Sequence, residues 1–371
     1  MIHFWSSGLR QLGGIQQYNQ QVLAVLRRSQ TVTGLRHFDL HDSAIEPEVA
    51  GAAFGRWPRR LRPAGFVLAA WLAALRDRPR LVLASHPHFL PAMLPLRRLG
   101  IKVVCSAHGV ETWSRIEGPR ALPFAQADGL LPVSQFTAGH LLRQVGVRAD
   151  RIEVVPNTYT EGAFSPGGAA DGLRQRHGLQ PRQPVIFTLG RMASAEGYKG
   201  HEVVMQALLL LRERYPGLHY LIGGEGDDQP RLAAVASRLG LASFVRFAGR
   251  IRAEELADHY RLASVFAMPS TGEGFGIAFL EAMACGVPCV AGNADGSVDA
   301  LDGGRLGFLV DPRDPSAVAA ALDAALSRGD ARPWLRSPTL LQAEVKACFG
   351  NEIFARRLRA ALSGLAPNSL H

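Results

Sequence analysis

Residues 270–281 read S-T-G-E-G-F-G-I-A-F-L-E, with one acid, Glu273, among glycines and a second, Glu281, inside an apolar run. Glycines leading into an apolar segment predict a loop that feeds a helix beginning near Gly276 and running to about Ala284. The free N–H groups and the dipole at such a helix start favour an anion. Glu281 lies five residues beyond Gly276, about 7.5 Å along the axis at 1.5 Å per residue. Carboxylates accept hydrogen bonds from paired hydroxyls. The spacing therefore suits a ligand with hydroxyls at both ends and phosphates between, which is the layout of a nucleoside diphosphate sugar. The plain alternative for Glu281 is an exposed helix face, and its neighbours F-L-E-A-M-A weaken that alternative.

Other loops that follow apolar runs add to this. After Val185–Leu189 comes G-R-M-A-S-A-E-G-Y-K-G, in which Arg191 and Lys199 flank a small loop before a helix starting near Gly200. Two cations at such a junction suit a diphosphate, although a solvated basic loop has the same composition. The segment G-G-E-G-D-D after His219–Gly223 fails the G-x-G-x-x-G spacing and reads as a structural turn or one that lines a cleft. The segment G-R-I-R-A-E-E-L after Val245–Gly249 begins a helix whose backbone could face a base. No D-x-D stands at a strand end, so no metal and no separate cofactor is implied; the cations and the helix start take the place of an ion.

These loops need a scaffold that gathers them at one edge. Short apolar runs alternate with helical patterns along the chain, the signature of parallel sheets with crossover helices. The expected strands are Ile2–Ser6, Gly34–Asp39, Leu81–Ser85, Lys102–Ser106, Gly129–Val133 and Ile152–Pro156 in the first half. In the second half they are Val185–Leu189, His219–Gly223, Val245–Gly249, Val265–Pro269, Pro288–Ala291 and Gly307–Val310. Two doubly wound α/β sheets of six strands follow, and the chain's 371 residues suit two domains. The stretch from Ala163 to Asp171, rich in Pro, Gly and small residues, marks the boundary. The domains are then 1–167, joined by the C-terminal helical segment 351–371, and 168–350.

At this point the residues resemble a family. E-G-F-G-I-A-F-L-E is similar to the E-x7-E motif of retaining glycosyltransferases of family four, the group 1 enzymes. Six further segments agree in order: G-G-I at Gly13–Ile15, H-G-V-E-T-W at His108–Trp113, L-P-V-S at Leu131–Ser134, V-V-P-N at Val154–Asn157, G-R…Y-K-G at Gly190–Gly200, and A-C-G-V-P at Ala284–Pro288. The resemblance covers nearly the whole chain and implies the glycosyltransferase B fold, two Rossmann-like domains facing across a cleft. It implies that Gly190, Arg191 and Lys199 clamp the diphosphate and that Glu281 takes the ribose. Glu273, with the backbone of Gly274, Phe275 and Gly276, would hold the donor sugar. Gly13 and Gly14 would form the first-domain glycine loop, His108 would face the reacting sugar, and Asn157 would lie near the domain junction. The loop between Arg191 and Lys199 is longer than the family's short R-x-x-x-x-K form and ends Y-K-G-H, as a longer variant does.

The expected reaction is metal-independent transfer of a hexosyl group, with retention, from a nucleotide sugar to a hydroxyl of a lipid-linked or saccharide acceptor. The Y-K-G-H loop favours a GDP-mannose-type donor in bacterial polysaccharide or glycolipid assembly. Two alternatives from other classes are a non-catalytic nucleotide-sugar-binding protein and an NAD-dependent oxidoreductase. The second lacks a G-x-G-x-x-G after its first strand.

Composition limits the partners. Residues 1–180 carry 21 Lys and Arg against 12 Asp and Glu, whereas residues 181–371 carry 20 of each. The excess is sharpest in R-W-P-R-R-L-R-P-A-G-F-V-L-A-A-W-L-A-A-L-R-D-R-P-R, residues 56–80. Arginines beside Trp57, Phe66 and Trp71 suit an interfacial helix on an anionic membrane near a polyprenyl-linked acceptor, although an ordinary buried helix with a solvated basic rim has the same composition. No nucleic-acid module is recognisable. The start lacks a signal-peptide pattern, and the longest uncharged apolar run, Pro63 to Leu75, is shorter than the roughly 20 residues a span needs. Cys105, Cys285, Cys289 and Cys348 read as reduced buried thiols. A cytoplasmic protein, peripheral on the inner face of the membrane, is expected.

Overall fold

The structure is a computed structural model and describes residues 1–10, 13–113 and 118–365. It divides into two compact units, Met1–Thr158 with the chain from Asn351 onward, and Tyr159–Gly350.

The first unit is built on a six-stranded sheet: β1 (Ile2–Ser6), β2 (Leu35–Asp39), β3 (Ala50–Ala53), β4 (Leu81–Ala84), β5 (Lys102–Ala107) and β6 (Gly129–Pro132), in the order β3-β2-β1-β4-β5-β6. Every pairing is parallel. All five residues of β1 and all four of β4 are buried, as expected of strands covered by helices on both faces. Helix α1 (Gly14–Arg28) follows β1, and α2 (Arg62–Asp77) buries Phe66, Ala70 and Ala74 at four-residue spacing.

One expected strand is absent. Ile152–Pro156 makes a single bridge, Leu130 to Ile152, and two backbone bonds to β6, from Glu153 N to Leu130 O and Val155 N to Pro132 O. Pro132 of β6 has no N–H to donate back to the Glu153 carbonyl, so the pairing stops at one bridge. The sixth strand is β3, whose sequence A-G-A-A carries no large side chain to announce it. Gly51 sits there at φ 150°, and a Cβ on it would lie 1.8 Å from the His37 carbonyl oxygen, so only glycine lets β3 approach β2.

The second unit repeats the plan with β7 (Val185–Leu189), β8 (His219–Gly223), β9 (Val245–Gly249), β10 (Val265–Met268), β11 (Cys289–Gly292) and β12 (Phe308–Val310), all parallel, ordered β12-β11-β10-β7-β8-β9. Its longer helices are α3 (His201–Leu211), α4 (Gln229–Arg238), α5 (Ala253–Leu262), α6 (Ile277–Ala284), α7 (Pro315–Ser327) and α8 (Pro338–Phe349). The chain then returns to the first unit as α9 (Asn351–Leu365), which lays Phe354 against Tyr18 of α1 with ring centroids 5.8 Å apart and Leu365 against Gly129 of β6. Residues 366–371 lie outside the described residues.

The division falls ahead of the expected boundary. Ala163–Asp171 belongs to the second unit, because Phe164 is buried edge-on to Tyr260 of α5 and Arg261 donates to the carbonyl and hydroxyl of Ser165. Three cysteines are buried free thiols, while Cys348 is half-buried beside Arg305.

Buried polar chains tie the sheets together. Thr188 of β7 donates to the Ala267 carbonyl of β10, so the Tyr220 hydroxyl of β8 donates to Thr188 at 2.9 Å. Tyr220 in turn accepts from Nδ1 of His201 at 3.0 Å. Burial holds both His201 and His37 of β2 at a pKa of about 4, well below the ordinary histidine value. A depressed histidine pKa supports the fold above the unfolded value and fails as pH falls from about 6.5 towards 4. Equilibrium urea unfolding at pH 7 and pH 5 should show each histidine costing roughly 2 kcal/mol at the lower pH. His201→Leu and His37→Leu should each flatten that dependence.

Candidate functional site

In the second unit the chemistry gathers where β7 and β10, neighbours in the sheet, end side by side. The carboxyl ends of strands in open α/β sheets are where ligands bind. After β7 the chain passes Gly190 and Arg191, makes a tight turn over Ser194–Lys199 and enters α3 through Gly200. Gly200 has φ 79°, and a Cβ there would lie 2.2 Å from the Pro269 carbonyl oxygen, so the junction requires glycine. Gly190 lies under Lys199, whose Cδ would be 2.8 Å from a Cβ at that position. The glycines thus let the lysine side chain lie down on the β7 loop.

Lys199 is buried and its Nζ donates to Glu273 Oε1 at 2.7 Å, with Glu196 Oε2 3.9 Å away. Arg191 forms an ion pair with Glu196 while 79 % of its side chain stays exposed. The two expected cations therefore sit in one cluster with two carboxylates. Burial alone would lower the Lys199 pKa, but Glu273, Tyr198 and Glu196 outweigh it and hold the ammonium above the ordinary lysine value. The Tyr198 ring lies 5.0 Å from the same nitrogen and packs on Gly272.

The loop carrying Glu273 is fastened on its other side. Asp295, buried after β11, accepts from the Ser270 hydroxyl at 2.6 Å and from the Glu273 backbone N–H at 2.7 Å. The Gly296 N–H donates to the Glu273 carbonyl at 2.8 Å. Gly274 passes so close that a Cβ on Gly296 would lie 2.1 Å from its carbonyl oxygen. Phe275 is buried against Phe349, with ring centroids 5.7 Å apart, and anchors the loop. Gly276 turns the chain at φ 90° into α6, which begins at Ile277 and ends at Ala284 as the spacing predicts.

Glu281 is no exposed helix residue. It is buried and accepts from the Tyr260 hydroxyl of α5 at 2.8 Å, while burial and this carboxylate push the Tyr260 pKa well up. The structure thus gathers Gly190, Arg191, Lys199 and Glu273 in one cluster and pairs Glu281 with Tyr260.

In the first unit, Gly13 precedes α1 and Gly14 opens it, and a Cβ on Gly13 would lie 2.4 Å from Gln16 Oε1. His108 follows β5, donates from Nε2 to the Ser85 carbonyl at 2.7 Å, and meets the Tyr18 ring edge-on at 4.9 Å. With its hydrogen on Nε2, the neutral ring leaves Nδ1 as an acceptor. Asn157 is buried, and its Oδ1 takes no hydrogen bond among the described residues. His86, absent from the expected site, stands beside His108, and its Nδ1 lies 2.7 Å from that of His88. Among the described residues no group of three His, Cys, Asp or Glu side chains could hold a metal ion.

Comparison with known proteins identifies the family. Residues 12–159 match the model described as Glycosyltransferase Family 4, and residues 183–328 that described as Glycosyl transferases group 1. The chain is 33 % identical over 290 residues to a GDP-mannose-dependent alpha-(1-6)-phosphatidylinositol monomannoside mannosyltransferase of Mycobacterium tuberculosis, covering 73 % of this chain and 70 % of that protein. The chain belongs to the group 1 glycosyltransferases of family four. The enzyme of the same name from Mycolicibacterium smegmatis is 35 % identical over 250 residues, 64 % of each chain. A solved glycosyltransferase from Rickettsia africae superposes with a TM-score of 0.79 over 98 % of both chains at 16 % identity, a likeness of fold.

Two residues of this glycosyltransferase's cluster, Glu196 and Asp295, escaped the sequence reading. Glu196 had a signal, being the acid inside a basic loop, whereas Asp295 sits in an ordinary-looking D-G-S turn. Lys199→Ala leaves Glu273 and Glu196 partly buried without their ammonium. Urea denaturation should show a loss of about 3 kcal/mol. Because the lysine pKa is raised, that difference should hold from neutral pH up to the ordinary lysine range and fade as pH climbs through it.

Proposed function

We propose that this glycosyltransferase moves a hexosyl group, with retention and without a metal, from a nucleotide diphosphate sugar to a hydroxyl of a lipid-linked or saccharide acceptor. GDP-mannose is the favoured donor, a reading supported by the GDP-mannose-dependent names of the two mycobacterial relatives. The observation that carries it is the Lys199–Glu273 contact beside the start of α6. It sets a cation for the leaving phosphates next to an acceptor for sugar hydroxyls.

In this reading Arg191, Lys199 and the N–H groups at the α6 start stabilise charge on the departing diphosphate, the electrostatic contribution that dominates such reactions. The acceptor hydroxyl attacks the anomeric carbon from the face the phosphate leaves. Its proton passes to the departing phosphate oxygen as the glycosidic bond forms, and no covalent enzyme intermediate is needed. Glu273 holds the sugar and Glu281 takes the ribose.

The acceptor reading extends to a membrane. Helix α2 turns Leu68, Leu72 and Leu75 outward, 62 %, 58 % and 43 % exposed, in line with Leu61 and Trp57. Such a stripe on a folded protein marks a contact surface. Arg56, Arg59 and Arg60 are exposed before the stripe and Arg76, Arg78 and Arg80 at its far end. Burying the leucines supplies about 1–2 kcal/mol each, and each arginine near an anionic surface adds about 1 kcal/mol. No helix among the described residues is long and apolar enough to cross a membrane. The enzyme would then work peripherally, on the cytoplasmic face, in bacterial polysaccharide or glycolipid assembly.

With GDP-mannose and a phosphoinositide mannoside acceptor, transfer should proceed in EDTA and give an axial product by NMR. Arg191→Ala should lower kcat about 100-fold, and unchanged turnover would remove Arg191 from the clamp. In flotation with vesicles containing phosphatidylglycerol, the intact protein should bind. Leu68→Asp with Leu72→Asp should abolish binding, whereas 0.5 M salt, roughly, should only weaken it.

A further inference from the structure

We infer that Asp295 is a positioning residue for the donor sugar: a buried carboxylate that sets where Glu273 stands. This rests on the proposed function, in which Glu273 holds the sugar. Asp295 is 1 % exposed. Its Oδ2 takes the Ser270 hydroxyl at 2.6 Å and the Glu273 N–H at 2.7 Å, and its Oδ1 takes the Ser297 N–H at 2.9 Å. One side chain therefore joins Ser270 of the β10 loop, the backbone of the sugar-binding acid and Ser297 in the segment after β11.

Little else can do this. Glu273 has one other backbone tie, from the Gly296 N–H to its carbonyl, and its side chain goes to Lys199. Asp295 holds the N–H side of the peptide, so it governs the direction in which the Glu273 carboxylate leaves the backbone. Without it, Glu273 is still tethered by Lys199, but from the phosphate side alone. A displacement near 1 Å at a sugar-holding group costs on the order of 100-fold in rate.

The test is a double-mutant cycle on transfer, paired with titration of GDP-mannose and of GDP. Asp295→Ala should lower kcat/KM about 100-fold, weaken GDP-mannose binding, and leave GDP binding within about threefold. Asp295→Asn, which keeps an oxygen for Ser270 and Glu273, should recover most of the loss. In a Glu273→Ala background, Asp295→Ala should add less than about threefold, because residues acting through one another are not additive. Ser270→Ala supplies the structural comparison: it removes one bond to Asp295, keeps Glu273 N–H in place, and should lower Tm without changing the ratio of GDP-mannose to GDP affinity. Full additivity with Glu273→Ala, or equal losses for GDP and GDP-mannose in Asp295→Ala, overturns the inference alone. An intact protein that binds neither GDP-mannose nor another nucleotide sugar overturns the proposed function and this inference with it.

Discussion

The contact between the Lys199 ammonium and the Glu273 carboxylate joins two loops 74 residues apart in the chain. Those loops meet because β7 and β10 pair in parallel, Val185–Leu189 against Val265–Met268, so both strands end at the same edge. A parallel pairing needs a long crossover between its strands; here β8, β9 and three helices lie in that interval. The pair is short and little exposed, and it would be costly to bury either charge alone. The glycines at 190, 200 and 272 follow from it: each is where a Cβ would strike Lys199, the Pro269 carbonyl or the Tyr198 ring.

Loops can be held to such tolerances only on strands that do not shift. The relay from His201 through Tyr220 and Thr188 to the Ala267 carbonyl crosses β8, β7 and β10, the strands beneath the cluster. Its direction is fixed at one end by a carbonyl, which can only accept. His201 then stays neutral, donating from Nδ1, and it is the residue after Gly200. The same stretch Y-K-G-H thus supplies the lysine, the left-handed turn and the polar anchor that ties the turn to the sheet.

Most strands were legible in the sequence because parallel strands covered on both faces are written as short apolar runs. Eleven of the twelve expected runs carry observed strands. The exceptions have physical causes. β3 is an edge strand of small residues, and Ile152–Pro156 is apolar because Val155 is buried, not because it forms a ladder. The unit boundary was misplaced because Pro and Gly at 166–168 mark a turn, while Phe164 and Ser165 already bind α5. In the cluster, cations beside glycines and the acid in a glycine turn could be read from type and spacing. Asp295 could not, because its role is created when the loops after β10 and β11 meet. Glu281 was placed on its helix correctly, but its burial against Tyr260 depends on α5, which local spacing does not report.

The two cations of the cluster are not equivalent. Lys199 is nearly covered and held between two carboxylates, so the conformational entropy of a long side chain, up to about 2 kcal/mol, is lost on folding and not on binding. Arg191 extends into solvent and pairs with Glu196 alone, so changing partners costs it little desolvation. A diphosphate arriving here would find one fixed charge that defines its position and one exposed charge that can turn towards it. Glu196 touches both cations and would be left to Lys199 when Arg191 turned away. The acid within the basic loop is therefore what lets two like charges stand close together, and its removal would raise the repulsion between them.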